Sequence, residues 1–493
     1  MRIPQIKDKS KIQQGIGTLE TLISLMVVIS AVTAVVLVVF NNQDIRLDNE
    51  TNNLALYRAS EIIGKARVLG ESDFNLVMAS SSINVIFTEN LAVSDISSCR
   101  KDITGSVDWS VQADRPQKIS LATSLISQAE SEALGSDCET TFLKDDWQIE
   151  CPPQYGYDLI PAGLVASGID IIKRNSNKYA ILSSLKGSFD KNDFWLLDVT
   201  DKTSISKISS IHVSPGLHDI DVAGNFAFAA SDDTIDQLVV IDISDLANPA
   251  TIAYESLVGV NPTGSFPQGR EIFYYNNRVY VGTRETAGPE FHIFDVSDPA
   301  NPVHLGSREL NHTIRKLVVR DNYAYLATSG NQNELVILDI SDPSNILPSF
   351  PGVGNAEPWR YDAPGDRDGT SLFLLGSKIY LGRAQGTGAN HDFLVLDIGQ
   401  LDSVVLLGSV LLGLNPNTAV EGIIVSGKLA FLATSDQNKG FQIWNIADPV
   451  NIYEMDSCNY SEKAVDLDFD GQYNYVANES NNALRIINSI SNP

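Results

Sequence analysis

The chain of 493 residues is poor in cysteine, methionine and histidine, with 4, 4 and 6 of each, and it is also poor in basic residues. Its 35 Lys and Arg stand against 61 Asp and Glu, which gives a formal net charge of −26 at pH 7. Such a surface repels nucleic acid and anionic lipid, so phosphate binding is disfavoured and no nucleic-acid partner is predicted. The apolar content of 43% and the charged content of 19% exclude a disordered chain.

Sequence motifs of hydrolytic and metal chemistry are also absent. The chain has no HExxH, GxSxG or CxxC motif, so such catalysis lacks its usual residues. Residues 366–369 and 468–471 carry half of a calcium-loop pattern without its closing Glu. Residues 422–428 match a phosphate loop, but Leu429 stands where Ser or Thr is required, so we interpret them as a repeat turn. We therefore predict a protein that is not an enzyme and that holds no cofactor or metal.

The chain does contain an internal repeat, which is clearest at residues 291–307, FHIFDVSDPANPVHLGS. An Asp or Asn recurs at the equivalent position in each copy. These residues are Asp198, Asp242, Asp295, Asp339, Asp397, Asn445 and Asn488. About seven copies therefore follow one another at intervals of roughly 43 to 58 residues, a period typical of stacked or radial folds.

Each repeat predicts four strands. A run of apolar residues precedes the Asp, as at residues 335–338, and indicates a strand buried on both faces. The Asp ends that strand and can accept turn amides, and the following Ser-Asp-Pro bends the chain. In the fourth repeat, two more strand-like runs precede it at 316–319 and 323–327. A last run follows the Pro, as at 303–307. Four antiparallel strands make one propeller blade.

The segments LVVIDISDLANP, FHIFDVSDPANP and LVILDISDPSN resemble the LVIVD-type repeat of bacterial and archaeal surface proteins. The resemblance covers residues 164–493 and implies a mainly β fold, a seven-bladed β-propeller. It implies little about a ligand, because propellers host many functions.

The last repeat is one strand short. Its strands are predicted at 465–469, 473–477 and 484–487, and the sequence stops at Pro493. An open blade would leave unpaired backbone groups at its edge. We therefore predict that residues 157–160, or residues next to them, pair with 484–487 and close the ring.

The N-terminal segment has the pattern of a membrane anchor. Residues 1–15 are basic, and residues 16–40 contain Glu20 as their only charge. A helix of this length reaches ~37 Å, which is enough to cross a bilayer. The basic residues predict a cytoplasmic N-terminus and place the rest of the chain outside the membrane.

Residues 15–20, GIGTLE, resemble the processing site of type IV prepilins. The resemblance implies cleavage after Gly15 by a prepilin peptidase, methylation of the new N-terminus Ile16, and a role for Glu20 in assembly with other pilins. The sequence departs from the family in having Ile for the usual Phe and an added Gly17. A cut after Gly17 would leave Glu20 third, so Gly15 is favoured. The alternative is an uncleaved anchor, although a carboxylate in hydrocarbon is costly and marks a functional position.

Residues 71–153 fit neither the repeat nor the membrane segment, and we predict a small α+β, pilin-like head there. A polar helix is expected before it, from residue 41 to about residue 69. Within the head, residues 83–87 and 103–111 predict strands, and residues 124–134 have helical spacing.

The four cysteines predict disulfides if the chain lies outside the cytoplasm. Cys99, Cys138 and Cys151 precede the propeller, and Cys458 lies within it. Of the three connectivities, we favour Cys99–Cys138 with Cys151–Cys458, because ring closure brings Cys151 toward the last blade. The alternatives are a Cys138–Cys151 pair and free buried thiols.

Polar residues enter the first strand of most predicted blades. They are His218, Asp219, Arg270, Glu271, Arg315, Lys316, Thr370, Ser371, Glu421 and Asp466. Equivalent positions of a propeller converge at the mouth of its channel. We therefore predict a polar rim there, either as a ligand site or as a solvated edge without a ligand.

The predicted domains are a leader at 1–15, a pilin helix at 16–70 with its transmembrane half at 16–40, a head at 71–153 and the propeller at 154–493. We predict a single-pass membrane protein that reaches the pilus or cell surface as a minor or tip pilin. Its propeller would bind a surface, a glycan or a protein partner. The alternatives are a secretion-system pseudopilin, an anchored propeller that never polymerises and, third, a propeller enzyme.

Overall fold

A computed structural model of the chain describes most of the repeat region and a smaller part before it. The described residues are 25, 26, 29, 48–72, 77–83, 87–97, 100–110, 116–126, 147–149, 155–157, 160, 164–174, 176–186, 191–259, 268–348, 360–386, 390–401, 403–459, 461–480 and 482–489. The chain divides into two compact units, Met1–Ser94 with Lys101–Leu125, and Asp95–Arg100 with Ile126–Pro493.

The smaller unit is a helix packed on an antiparallel sheet. Its elements are α1 (Asp48–Ser72), β1 (Ser80–Ile83), β2 (Phe87–Ser97), β3 (Arg100–Ser110) and β4 (Pro116–Ile126), with the strands in that order. Ala59 and Ile63 of α1 pack against Ile103 and Val107 of β3. A Cβ on Gly105 would lie 2.9 Å from the carbonyl oxygen of Ala59, so a glycine permits this close approach.

An α+β unit is therefore present, with one difference from the predicted head. The strand β4 occupies residues 124–126, where helical spacing predicted a helix, because its apolar residues pair with β3 rather than forming a helical face. The helix α1 ends at Ser72, close to the predicted end. Nothing in this unit identifies a pilin.

Most of the predicted membrane segment lies outside the described residues. Of residues 16–40, the structure describes Leu25, Met26 and Ile29, which are helical and exposed. In the described part of the chain, no helix is long and apolar enough to cross a membrane. Six residues of the processing, assembly and disulfide predictions also lie outside that part. These are Gly15, Ile16, Glu20, Cys99, Cys138 and Cys151.

The described residues of the larger unit form seven antiparallel sheets, which we number blades 1 to 7. Blade 1 contains β6 (Leu164–Arg174), β7 (Asn177–Lys186), β8 (Phe194–Asp198) and β9 (Ser206–Ile211). Blade 2 contains β10 (Leu217–Ala223), β11 (Phe226–Ser231), β12 (Leu238–Asp242) and β13 (Ala250–Glu255). Blade 3 contains β14 (Gly269–Tyr275), β15 (Arg278–Thr283), β16 (Phe291–Asp295) and β17 (Val303–Arg308). Blade 4 contains β18 (Ile314–Arg320), β19 (Tyr323–Thr328), β20 (Leu335–Asp339), β21 (Leu347–Pro348) and β22 (Arg360–Tyr361). Blade 5 contains β23 (Gly369–Leu375), β24 (Lys378–Arg383), β25 (Phe393–Asp397) and β26 (Val405–Val410). Blade 6 contains β27 (Val420–Ser426), β28 (Leu429–Thr434), β29 (Phe441–Asn445) and β30 (Tyr453–Cys458). Blade 7 contains β31 (Ala464–Phe469), β32 (Asn474–Asn478), β33 (Leu484–Ile487) and, as its outer strand, β5 (Tyr155–Tyr157).

These blades close into a ring around a central channel. Their first strands contact one another in the order β6, β10, β14, β18, β23, β27 and β31, and β31 contacts β6 again. Each sheet runs outward from its first strand, so the first strands line the channel. Within the described residues the architecture is a seven-bladed β-propeller, as the repeat predicted.

The repeat motif forms the third strand of each blade and the turn after it. The third strands of blades 1 to 5 each have four buried residues before a half-buried Asp. In blade 3, Asp295 Oδ1 accepts a hydrogen bond from the Ser297 amide at 2.8 Å, and Asp298 Oδ1 accepts one from the Ala300 amide at 3.2 Å. Both roles predicted for the acidic residues are confirmed. The predicted turn at 422–428 is also confirmed, with Gly422 in β27 and Gly427 at φ 58° beyond it.

The ring is closed by a strand from the start of the larger unit. Residues Tyr155, Gly156 and Tyr157 of β5 pair with Ile486, Arg485 and Leu484 of β33. This confirms the predicted closure of blade 7, with the pairing shifted by two residues from the predicted segment.

The segment before β5 also packs on the last two blades. The Trp147 ring lies edge-on to Phe431 at 4.9 Å and to Phe469 at 6.2 Å between ring centroids. The Ile149 amide donates to Asp456 Oδ2 at 2.9 Å. These contacts place residues 147–149, which were expected in the head, inside the propeller unit. The unit boundary at Ile126 therefore precedes the boundary expected at residue 153.

Candidate ligand-binding site

All seven described blades have a β-bulge at the same place in their first strand. In blade 2, Leu217 pairs with Ser231 and Asp219 pairs with Ala230, so His218 is the extra residue. Such a bulge re-aims the side chain of the extra residue. The seven bulged residues are Ser167, His218, Arg270, Arg315, Thr370, Glu421 and Val465. All of them line one cavity of about 370 Å³ at the channel mouth.

The structure brings the predicted rim residues together in that cavity. The lining includes His218, Asp219, Arg270, Glu271, Arg315, Lys316, Thr370, Glu421 and Asp466. Ser371 is the exception, because it is buried and its Oγ donates to the Val420 carbonyl at 2.7 Å. Ligand binding by this set stays a prediction.

Sequence reasoning missed two bulged residues and the contributors from outside the first strands. Ser167 and Val465 were missed because neither carries a charge. Asn417, Ser435 and Glu479 come from loops and the ends of second strands. Aligning the seven first strands on their repeat position would have identified Ser167 and Val465, whereas the loop residues carry no such signal.

Below the bulged residues lies a lysine cluster, formed by Lys316, Glu271, Asp219 and Asp466. The Lys316 Nζ lies 2.7 Å from Glu271 Oε1, 3.9 Å from Asp219 Oδ2 and 4.0 Å from Asp466 Oδ1. Burial acts to lower the pKa of Lys316, but the three carboxylates outweigh it and raise that pKa well above its usual value. Lys316 therefore stays positively charged and joins four different blades.

Glu271 and Asp466 of this cluster hold protons more strongly than ordinary carboxyl groups. Burial raises the pKa of Glu271 well above its usual value, and the charge of Asp219 adds to that effect. Burial also raises the pKa of Asp466 to about 6, although Lys316 opposes the rise. The cluster has one lysine for three acids, so a negative excess is disfavoured there.

A second set of acids, deeper in the channel, joins neighbouring blades. Asp170 Oδ2 accepts a hydrogen bond from the Val222 amide at 2.7 Å. Asp221 and Asp468 accept in the same way from the next blade, at 2.6 and 2.8 Å. Burial raises the pKa of Asp221 and of Asp468 to about 7. Burial, together with the charges of Asp468 and Asp221, raises the pKa of Asp170 well above its usual value.

The cations at the mouth differ in their partners. Arg315 Nη2 lies 3.2 Å from Asp368 Oδ2, and Lys463 Nζ lies 2.9 Å from Glu479 Oε2. Arg270, by contrast, has its Nη1 3.5 Å from Nδ1 of His218. The mouth therefore combines two paired cations with one whose nearest polar neighbour is an imidazole.

His292, away from the channel mouth, is buried within its blade. His292 is fully buried in β16, with Nε2 2.8 Å from the Pro289 carbonyl and Nδ1 3.4 Å from His304 Nε2. Burial lowers the pKa of His292 to about 4, so the ring is neutral. Among the described residues, no group of His, Cys, Asp and Glu is arranged to hold a metal ion.

The family comparison matches four of these blades. The model of the LVIVD repeat matches residues 217–253, 272–308, 314–350 and 419–460. The chain carries LVIVD repeats. They coincide with blades 2, 3, 4 and 6, so the LVIVD repeat and the structural blade are the same unit. No curated protein matches the sequence.

Solved propellers resemble the chain at low identity. The Cps50 (Swd1) β-propeller domain of Myceliophteria thermophila has a TM-score of 0.45 and 10% identity, over 69% of this chain and 99% of that one. A functionally unknown protein of Desulfotomaculum acetoxidans has a TM-score of 0.45 and 11% identity, over 66% and 93%. A quinonprotein alcohol dehydrogenase-like protein of Bacteroides thetaiotaomicron has a TM-score of 0.39 and 13% identity, over 79% and 85%. The fold assignment therefore depends on the sheet topology and the LVIVD repeats.

Proposed function

We propose that this protein displays its LVIVD propeller at the cell surface and binds a ligand or partner at the channel mouth. The observation that carries the proposal is the cavity of about 370 Å³ into which all seven blades contribute a bulged residue. Polar side chains held on strands of a rigid scaffold suit recognition. The ion pairs of Lys316 and Lys463 hold these two cations in fixed positions, which suits recognition of a ligand.

We further propose that a type IV pilin-like N-terminus anchors the protein. The support is the sequence GIGTLE at residues 15–20 and the apolar segment 16–40. The partners would be a prepilin peptidase, the membrane and the helices of other pilins. A propeller spanning residues 164–493 is too bulky for close packing in a shaft, so a minor or tip position fits it better than a major one.

Two measurements test this function. N-terminal mass spectrometry of envelope material is expected to find a mature chain that begins at Ile16, with or without a methyl group. Intact Met1 in cells with an active prepilin peptidase would contradict the pilin-like anchor. Protease treatment of intact cells is expected to release propeller peptides, and full protection of the propeller would contradict surface display.

Adhesion provides the functional readout. Cells that produce the chain without residues 164–493 are expected to keep their pili and to lose binding to the surface or partner that wild-type cells recognise. The matched control replaces Arg278, at the end of blade 3 away from the mouth, with Gln. Equal adhesion of cells with and without the propeller would contradict a binding role.

A further inference from the structure

Arg270 is the polar residue of the channel mouth whose charge is least compensated. Within the described part of the chain it takes part in no ion pair, and its Nε is buried without a hydrogen-bond partner. Burial lowers the pKa of Arg270, and the positive charge of Arg315 adds to this effect. An arginine in such a position gains stability from an anion that enters the cavity.

The groups behind Arg270 orient it without neutralising it. His218 Nε2 lies 3.0 Å from Asp232 Oδ1, so the carboxylate favours the tautomer with the proton on Nε2. The Nδ1 of that tautomer accepts from Arg270 Nη1, 3.5 Å away. Burial lowers the pKa of His218 and keeps the ring neutral. The guanidinium is thus positioned by a neutral neighbour and keeps its full charge for a ligand.

Arg315 provides a second guanidinium in the neighbouring blade. It is the bulged residue of blade 4, and its Nη2 forms an ion pair with Asp368 Oδ2 at 3.2 Å. Its side chain is 43% exposed, so this ion pair is a weak one. Two guanidiniums from neighbouring blades, with one partly exposed carboxylate paired to Arg315, can take one more anion.

The rest of the cavity suits hydroxyl groups. Glu421 and Ser435 line the side away from Arg270, and Asn417 lies beside them. The described lining contains no Phe, Tyr or Trp, so a ligand is held mainly by hydrogen bonds and charge. A volume of about 370 Å³ lies at the small end for ligand pockets, which span about 300–1,000 Å³.

We propose that the channel mouth binds a small hydroxylated carboxylic acid of the uronic-acid class, with its carboxylate held by Arg270 and Arg315 and its hydroxyls facing Glu421 and Ser435. This inference rests on the binding role proposed above and names the ligand class for it. The mouth, rather than the negative outer surface of the protein, selects the anion, because the two arginines face the same cavity.

The test is calorimetric titration of the purified full-length protein with D-glucuronate. Binding is expected for the wild type, and it should weaken as salt rises, because charge carries part of the affinity. Arg270→Gln is expected to weaken binding about tenfold or more, the value of a lost charged hydrogen bond. Arg270→Lys keeps the positive charge but lacks the planar guanidinium, so its affinity should lie between those of the wild type and Arg270→Gln. Arg278→Gln changes net charge equally outside the cavity and should bind as the wild type does.

Each further outcome decides the inference. Absence of glucuronate binding to the folded wild type, or equal binding by Arg270→Gln, would overturn it. Equal affinity for acetate and glucuronate would contradict recognition of the ligand's hydroxyl groups. Binding of D-glucose as tight as that of glucuronate would contradict recognition of its carboxylate. Thermal unfolding of Arg270→Gln shows whether it is folded, and Arg270→Lys serves as the variant if it is not. These titrations use purified protein, so they are independent of N-terminal processing and surface display.

Discussion

Replacing Lys316 with Met removes the cation that joins three carboxylates from different blades. Met has a similar length and no charge, so the change leaves Glu271, at 2.7 Å, without its partner. Asp219 and Asp466 lose the same charge at 3.9 and 4.0 Å. Breaking a buried ion pair on one side costs about 3–5 kcal/mol. We expect Lys316→Met to lose free energy of unfolding in that range at about pH 8, where unpartnered acids would be ionised.

The loss should depend on pH with a definite sign. A carboxyl group whose folded pKa is raised contributes stability that is present at low pH and is lost as pH rises through that folded pKa. The pKa of Asp466 is raised to about 6 and that of Glu271 well above its usual value. Without Lys316 both should rise further. At about pH 5 the acids are then protonated, so the variant should approach the wild type.

Urea unfolding at the two pH values, followed by fluorescence and circular dichroism, measures this effect. The matched control is Lys463→Met, which breaks a pair with Glu479 whose side chains are 45% and 41% exposed. It should cost less than about 1 kcal/mol, without pH dependence. A loss for Lys316→Met that is equal at both pH values, or as small as that of the control, would refute the reasoning.

Three further predictions concern the anchor, the disulfide and the closure of the ring. Glu20→Ala should leave membrane insertion intact and reduce assembly into sheared pili, and normal pilus levels of the variant would contradict the assembly role. Cys151→Ser should lower the midpoint of unfolding by the equivalent of about 2–4 kcal/mol under oxidising conditions only, and a Cys458 thiol that stays unreactive after that variant is unfolded in denaturant would contradict the pairing. A fragment 126–493 should unfold cooperatively, whereas a fragment 164–493 lacks β5 and should aggregate or unfold at lower urea. Equal stability of the two fragments would contradict a role for β5 in closure.

The fold of the propeller was predictable because its signals are local and repeated. The apolar run, the strand-ending Asp and the Ser-Asp-Pro turn each specify one piece of a blade, and their repetition specifies the array. In the smaller unit nothing repeats. The strand β4, PQKISLATSLI, starts with three exposed residues and then alternates between more buried and exposed residues, and the helical spacing of residues 124–134 competed with this pattern. Its strand state is settled by pairing with β3, which is a tertiary contact.

A set of buried polar side chains shows what local reading cannot find. The residue before the third strand is acidic or amide-bearing in blades 1 to 5. These residues are Asp193, Gln237, Glu290, Glu334 and Asp392. Each is buried and accepts amide hydrogen bonds from the segment after its outer strand, as Glu290 Oε2 does from Leu310 at 2.8 Å. In sequence such an acid looks like an exposed strand end. Its burial depends on the fourth strand returning beside it, about twenty residues later.

The candidate site was predictable in its members but not in its geometry. Convergence of the first strands predicted that the rim residues would meet, which holds for nine of the ten residues considered. A bulge separates the mouth residues from the lysine cluster. It cannot be identified from the sequence of one strand, because that sequence is compatible with either assignment of its residues to the two faces of the sheet. The consequence is chemical. The bulge puts Arg270 at the mouth and Glu271 beside Lys316, so adjacent residues serve a ligand and the scaffold respectively.

Acidic side chains of the channel form part of the contact between blades 7 and 1. The strand β5, which completes blade 7 by pairing with β33, supplies three residues, whereas the outer strands of blades 5 and 6 supply six each. Side chains join blade 7 to blade 1. Asp466 and Asp468 accept amide hydrogen bonds from Ile169 and Ile171 of blade 1, at 3.1 and 2.8 Å. Burial raises the pKa of both acids, so the proton that each one holds removes a charge from the joint without removing the acceptor oxygen. The stability that these two carboxyl groups contribute is therefore present at low pH and is lost as pH rises through about 6 to 7, the two folded pKa values.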